Sequence, residues 1–308
     1  MGEPGLPRRV LVRMPNWVGD ACLEIPFLVA LRRQLPEARI TALARSGPDE
    51  VATLAAVDEV ILLDDRGPLW TRPRRLHEAG VRLRGHRFDA AVSLAETTSS
   101  AFLLRTTGIG RTVGYGRGLA RLLLSTAVDL GTSSGLHRAA AYLRLLQGLG
   151  LEVPALTWEP PAVSEAAREA GAARLAPLGN GRPRIGLGVG SMAASRRWPI
   201  DSWVSLCHAL RAGVVLLGGV ADRAVADEIA AQVGPRVLNL AGQTRIVEIP
   251  GVLSHLDVMV SNDSGAAHLA ALARLPTLCS LARAIRSARR RPGTAVRSSR
   301  IRSRARPA

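Results

Sequence analysis

Two short stretches of this chain put a carboxylate where a carboxylate can do chemistry. The first is Pro15-Asn16-Trp17-Val18-Gly19-Asp20, which follows an apolar run ending at Val12. The second is Asn262-Asp263-Ser264-Gly265, which follows another apolar run and leads through two alanines to His268. Each stretch combines a glycine and an acid at the point where a strand-like pattern becomes a helix-like one. In open α/β sheets that edge is where ligands bind. Asp20 there is placed either to cap a helix or to take a proton from an attacking hydroxyl, and spacing alone supports both. Asp263 is placed to accept sugar hydroxyls. Ser264 can cap the helix, while the free N–H groups from Gly265 onward suit a phosphate. His268, one turn into that helix, either reaches the same site or serves packing.

A third stretch, "GLGVGSMAASRRWP", adds positive charge. Gly188, Gly190 and Ala193 match G-x-G-x-x-A after a strand. A dinucleotide fingerprint needs a helix to begin there, and Pro199 follows too soon for one. The glycines still allow a backbone to approach a phosphate. Ser191 can donate a hydrogen bond to it, and Arg196 and Arg197 can supply charge. In "GGVADRAVADEIA", Asp222 is placed either to accept a ribose hydroxyl or simply to start the next helix. The remaining histidines show no paired spacing, so no metal site is assigned. Neither a P-loop nor a nucleophile elbow is present.

These residues need elements to position them. In the first half, strands are expected at 9–13, 40–44, 60–63, 90–94 and 112–114. Helices are expected between them at 21–35, 48–55, 71–83 and 98–107, with a longer one at 136–149. Three prolines across 149–161 mark a linker. The alternation then restarts, with strands at 184–189, 214–217, 237–240 and 258–261 and helices at 201–211, 221–233, 245–253 and 266–273. Repeated βα units imply parallel, doubly wound sheets. The chain thus divides into a Rossmann-like domain over 1–155, a second over 156–279, and a tail over 280–308. After Thr277 the alternation is expected to stop.

Composition bounds the rest. The 308 residues are 47% hydrophobic and only 3% aromatic, so the core must be aliphatic. No apolar run is long enough for a transmembrane helix, and the polar start does not read as a signal peptide. Three separated cysteines fit a reducing cytoplasm. The net charge of +16 points at first sight to nucleic acid, but ten of those charges are arginines in the tail, leaving +6 elsewhere. There is no lysine at all. That usage fits GC-rich coding DNA better than selection for phosphate contacts, so no specific nucleic-acid partner is expected.

Together, "RMPNWVGDACLEIPFLVALRRQLPEARITALA", "SRRWPIDSWVSL" and "SNDSGAAHLAALARLPT" resemble the ADP-heptose:lipopolysaccharide heptosyltransferases of glycosyltransferase family 9. The "PNWVGD" form is closest to the enzymes that add the second heptose. The resemblance runs from about Arg9 to Thr277. It implies a GT-B fold, two Rossmann-like domains facing a cleft. It also implies inverting transfer of heptose from ADP-L-glycero-D-manno-heptose to a lipid-linked lipopolysaccharide inner core, without metal or cofactor, at the cytoplasmic face of the inner membrane. On that resemblance Asp20 is the general base and Asp263 holds the donor heptose. Ser264, Gly265 and His268 form the phosphate- and donor-contacting helix start, and Ser191 lies in the phosphate loop.

Two departures stand out. Arg196 replaces the lysine usual before "RWP", keeping the charge in a larger, planar group. Past "LPT" the family continues with an apolar strand and further helices, whereas this chain turns to Arg, Ser, Ala and Pro. That switch resembles a change of reading frame and implies an incomplete second domain. Two other readings compete. In one, the Arg-rich tail binds nucleic acid or an anionic membrane from an inert α/β body. The other, an NAD-dependent oxidoreductase, lacks its fingerprint helix.

Overall fold

The computed structural model describes residues 5–55, 57–129 and 137–280. The Arg-rich tail, and the expectations attached to it, lie outside the described residues.

The apolar runs become strands because both faces of each are covered by helices, which leaves little room for polar side chains. In the first half these are β1 (Arg9–Arg13), β2 (Arg39–Ala44), β3 (Glu59–Leu62), β4 (Ala90–Ser93), β5 (Arg111–Tyr115) and β6 (Thr126–Val128). They pair in the order β3-β2-β1-β4-β5-β6, all parallel, with Val10 beside Ile40 on one side and Ala90 on the other. The helices are α1 (Val18–Gln34), α2 (Pro48–Ala52), α3 (Arg72–Leu83), α4 (Thr98–Thr106), α5 (Ala120–Leu123) and α6 (Arg138–Leu143).

The second half opens with α7 (Glu165–Leu175) and continues through β7 (Arg184–Gly188), α8 (Ile200–Ala209), β8 (Gly213–Leu217), α9 (Arg223–Val233) and β9 (Val237–Asn239). It ends with α10 (Ile249–Leu253), β10 (Val258–Asn262), α11 (Gly265–Leu272) and β11 (Thr277–Ser280). This sheet is also parallel, in the order β11-β10-β7-β8-β9.

Both sheets reverse their strand order beside their first strand. In the first sheet the switch lies between β1 and β4, in the second between β7 and β10. At such a point neighbouring loops diverge and leave a crevice at the carboxyl edge. The segments that follow these strands carry the sequence-predicted residues: 14–20 after β1, 189–199 after β7 and 263–268 after β10.

Several elements differ from expectation. β11 continues the second sheet past Thr277, with Met259 beside Thr277 and Asn262 beside Ser280, so the alternation does not stop there. Its four residues are too few to show a period. α5 and β6 were too short to read for the same reason. α7 went unread because its sequence, EAAREAGAARL, has almost no apolar face. It is held instead by Ser164, whose hydroxyl accepts the Ala167 N–H, and by close packing on α10. The expected helix at 136–149 is α6 followed by a 3-10 segment.

The core is aliphatic and continuous. One buried cluster runs from Val10, Leu28 and Leu31 through Leu175, Val252 and Leu269 to Leu217 and Met259 of the second sheet. The α7–α10 contact depends on two glycines: a methyl group on Gly171 would strike the Gly251 carbonyl, and one on Gly251 would strike the Ala167 carbonyl. Gly171→Val forces these backbones apart and should cost about 2 kcal/mol, read as a lowered thermal midpoint. An unchanged midpoint would contradict this packing.

Candidate active site

α1 begins three residues earlier than the sequence suggests. Trp17 is its N-cap, in an extended conformation and without a side-chain capping bond. Asp20 therefore lies inside the first turn, and the capping role left open for it is not the one it plays. Its carboxylate faces the Arg138 guanidinium, Oδ1 to Nε 3.6 Å.

The second junction also uses its residues differently from plain capping. Ser264 is the N-cap of α11 but makes no capping bond; its Oγ lies 3.3 Å from Ser261 Oγ. Asp263 pairs with Arg196, Oδ2 to Nη1 3.0 Å, and its carbonyl accepts the Ser191 hydroxyl at 3.3 Å. The loop after β7 is thereby tied to the loop after β10. Ser191 is buried, and Arg197 donates from Nε to the Ser191 carbonyl at 2.8 Å. The loop is thus tied in place by these bonds.

The glycines of that loop also have a structural purpose. Space above Gly190 is filled by the Asp222 carboxylate, and space above Gly188 by the Ser261 side chain. Both positions are therefore glycine for packing within the fold, whatever the loop binds. Asp222 accepts the Gly219 N–H at 2.9 Å and starts α9, at the edge of the same loop. No helix starts at Gly190, which removes the fingerprint geometry.

The two junctions meet. A methyl group on Gly19 would lie 2.8 Å from His268 Cδ2, and one on Gly265 would lie 2.9 Å from Val18 Cγ1. The first turns of α1 and α11 are therefore in direct contact, 246 positions apart in sequence between Gly19 and Gly265. His268 sits between the two acids. Burial lowers its pKa, partly offset by Asp263 and then Asp20, so it is neutral at pH 7. The structure thus gathers Asp20, Ser191, Arg196, Asp263, Ser264, Gly265 and His268 at one place, with Asp222 against the loop. A cavity of about 430 Å³ between Leu54, Pro161, Pro250 and Leu269 lies elsewhere and includes none of them. Among the described residues, no three His, Cys, Asp or Glu side chains are grouped to hold a metal ion.

Four contributors escaped the sequence reading. Arg138 joins Asp20 to Glu96, with Nη1 3.0 Å from the Glu96 carboxylate, so it spans the switch point of the first sheet. Nothing local marks it. Asn262, fully buried, donates to the Val189 carbonyl at 2.7 Å and accepts the Trp198 N–H at 3.1 Å, pinning both ends of the loop after β7. Arg13, 2% exposed, donates to the Met14 carbonyl and, at 2.5 Å, to Asn16 Oδ1. Burial lowers its pKa to about 10. Glu24, one turn after Asp20, is 0% exposed and neither carboxyl oxygen has a partner. Its one available signal was an acid within the apolar pattern of α1.

Burial raises the Glu24 pKa well above 4.5, against a smaller opposing pull from Arg13. Between its unfolded and folded pKa values the folded chain holds the extra proton, so stability falls as pH rises through that window. Glu24→Gln removes this dependence. Denaturant unfolding from pH 4 to pH 8 should show the variant gaining on wild type by up to about 1.4 kcal/mol per pH unit, with no such gain below the unfolded value. Parallel curves would mean that Glu24 is not held neutral.

Comparison with known proteins places this geometry in a family. The family model for glycosyltransferase family 9 (heptosyltransferase) matches residues 76–279. Lipopolysaccharide heptosyltransferase 2 of Escherichia coli K12 is 27% identical over 284 residues, covering 87% of this chain and 81% of that protein. The E. coli structure of ADP-heptose LPS heptosyltransferase II superimposes with a TM-score of 0.72 at 25% identity, over 88% of this chain and 84% of that one. A family 9 glycosyl transferase from Veillonella parvula shares the fold, with a TM-score of 0.76 at 21% identity over 88% and 80% of the two chains. The two facing parallel sheets, the meeting of their switch-point loops and the match over most of the chain make it a member of glycosyltransferase family 9, the heptosyltransferases.

Proposed function

We propose that this glycosyltransferase moves L-glycero-D-manno-heptose from its ADP carrier onto the inner core of a lipopolysaccharide, as the second heptose, with inversion at the anomeric carbon. The observation that carries this reading is the contact between the Asp20 turn and the Asp263–His268 turn. On this reading a base and a donor site lie side by side, one from each half of the chain. The names of the relatives, which act as the second heptosyltransferase, agree with it.

In this reading Asp20 takes the proton of the acceptor hydroxyl as that oxygen attacks the anomeric carbon. The bond to the β-phosphate breaks and ADP leaves from the opposite face. Charge on the departing phosphate is met by the free N–H groups at the start of α11 and by Arg196. Asp263 holds heptose hydroxyls while its ion pair with Arg196 keeps it aimed. Asp222 receives the ribose. Arg138 keeps the Asp20 carboxylate pointed at the acceptor. No cofactor is required; ADP-heptose is a substrate. Residues 1–155 form the acceptor side and 156–279 the donor side.

The acceptor is lipid-linked, so the first half works against the cytoplasmic face of the inner membrane. Support comes from the exposed Arg74, Arg82 and Arg84 along or just after α3 and from the largely exposed Trp70, whereas Arg72 is engaged by Asp65 and Arg75 by the Arg66 carbonyl. Among the described residues no helix is long and apolar enough to cross a membrane.

The test is a calorimetric titration with ADP-heptose, with NAD as a control, followed by transfer to a heptose-bearing acceptor. Asp263→Ala should weaken donor binding at least tenfold. Asp20→Asn should bind donor normally and transfer about 10³-fold more slowly. Binding of NAD in preference to ADP-heptose would refute the proposal, as would full activity in Asp20→Asn.

A further inference from the structure

Trp17 has no role in the scheme above, yet its placement is unusual. It is 57% exposed, whereas Trp203 is fully buried in the second half. Scattered exposed apolar residues need no explanation, but the backbone under this one is held from every side. Ahead of it, Arg13 clamps the Met14 carbonyl and the Asn16 side chain. Its own carbonyl accepts the Ala21 N–H at 2.9 Å. Immediately after it, Val18 and Gly19 are wedged against Gly265 and His268. The indole therefore stands on a fixed turn at the carboxyl edge of the first sheet, three residues before Asp20.

A rigid aromatic held in water offers a large contact face at little cost in conformational entropy. The ligand that fits it is a pyranose ring. Its C–H face packs on the indole, and the indole N–H can donate to a ring hydroxyl. The donor's phosphate- and ribose-facing groups, Ser191, Arg196 and Asp222, all lie in loops of the second sheet, whereas Trp17 belongs to the first. We propose that Trp17 is the stacking platform for the acceptor saccharide and determines which sugar ring is presented to Asp20. This rests on the sugar-transfer reading above and names a residue of its acceptor side.

The test is binding of a delipidated, heptose-bearing inner-core oligosaccharide, measured by calorimetry on the full chain as wild type, Trp17→Ala and Trp17→Phe. ADP is titrated separately against each. The expected result is a loss of about tenfold in saccharide affinity for Trp17→Ala, most of it restored in Trp17→Phe, with ADP affinity equal in all three. Equal saccharide affinity in Trp17→Ala overturns the assignment. So does a loss of ADP affinity with saccharide binding unchanged, which would make the indole a nucleotide contact. A wild-type chain that binds the saccharide but transfers no heptose would sink the transfer reading and leave the Trp17 assignment to be decided by the variants. One that binds no saccharide overturns the assignment as well.

Discussion

The contact between the first turns of α1 and α11 is the constraint on which the rest of the site depends. Val18 lies on Gly265, and His268 lies on Gly19. Neither approach tolerates a β-carbon without movement, so both positions are glycine for steric reasons independent of any ligand. Both helices also point their positive ends into the same region. Two such ends repel each other and attract an anion. The fold holds them together through packing in spite of that repulsion.

Around that contact, the two switch points behave differently. The second sheet ties its loops to each other: Asn262 pins Val189 and Trp198, Ser191 meets the Asp263 carbonyl, and Arg196 meets the Asp263 carboxylate. Such a network is preorganised, which suits recognition of a substrate common to many acceptors. The first sheet is joined differently at its switch point. There Asp20, Arg138 and Glu96 form a chain of half-exposed charges, and Trp17 projects into water.

The buried polar groups near α1 carry a cost. Glu24 and the Arg13 Nε are buried without partners, and an unpaired buried polar group is destabilising. Arg13 offsets part of this by bracing the turn that carries Asn16 and Trp17. A local sacrifice of stability beside functional groups is a common pattern.

Much was determined by the sequence alone. The alternation of apolar runs and helical patterns specified parallel sheets, because strands buried on both faces must be apolar throughout. The two Gly-acid junctions were legible because strand ends in such sheets are where ligands collect, and motif order tied them to the family. What sequence could not supply was partnership between distant residues. Arg138 meets Asp20 across 118 positions, and Asn262 reaches Val189 across 73; no local pattern encodes either. Whether Asp20 was itself the N-cap of the helix was undecidable from spacing, since an acid at a strand-to-helix junction fits either the cap or the turn after it. Tertiary structure decided it by starting α1 at Val18 and setting Arg138 opposite. Short or weakly apolar elements such as β11 and α7 were likewise decided by packing, because their residues carry too little periodicity to specify a partner by themselves.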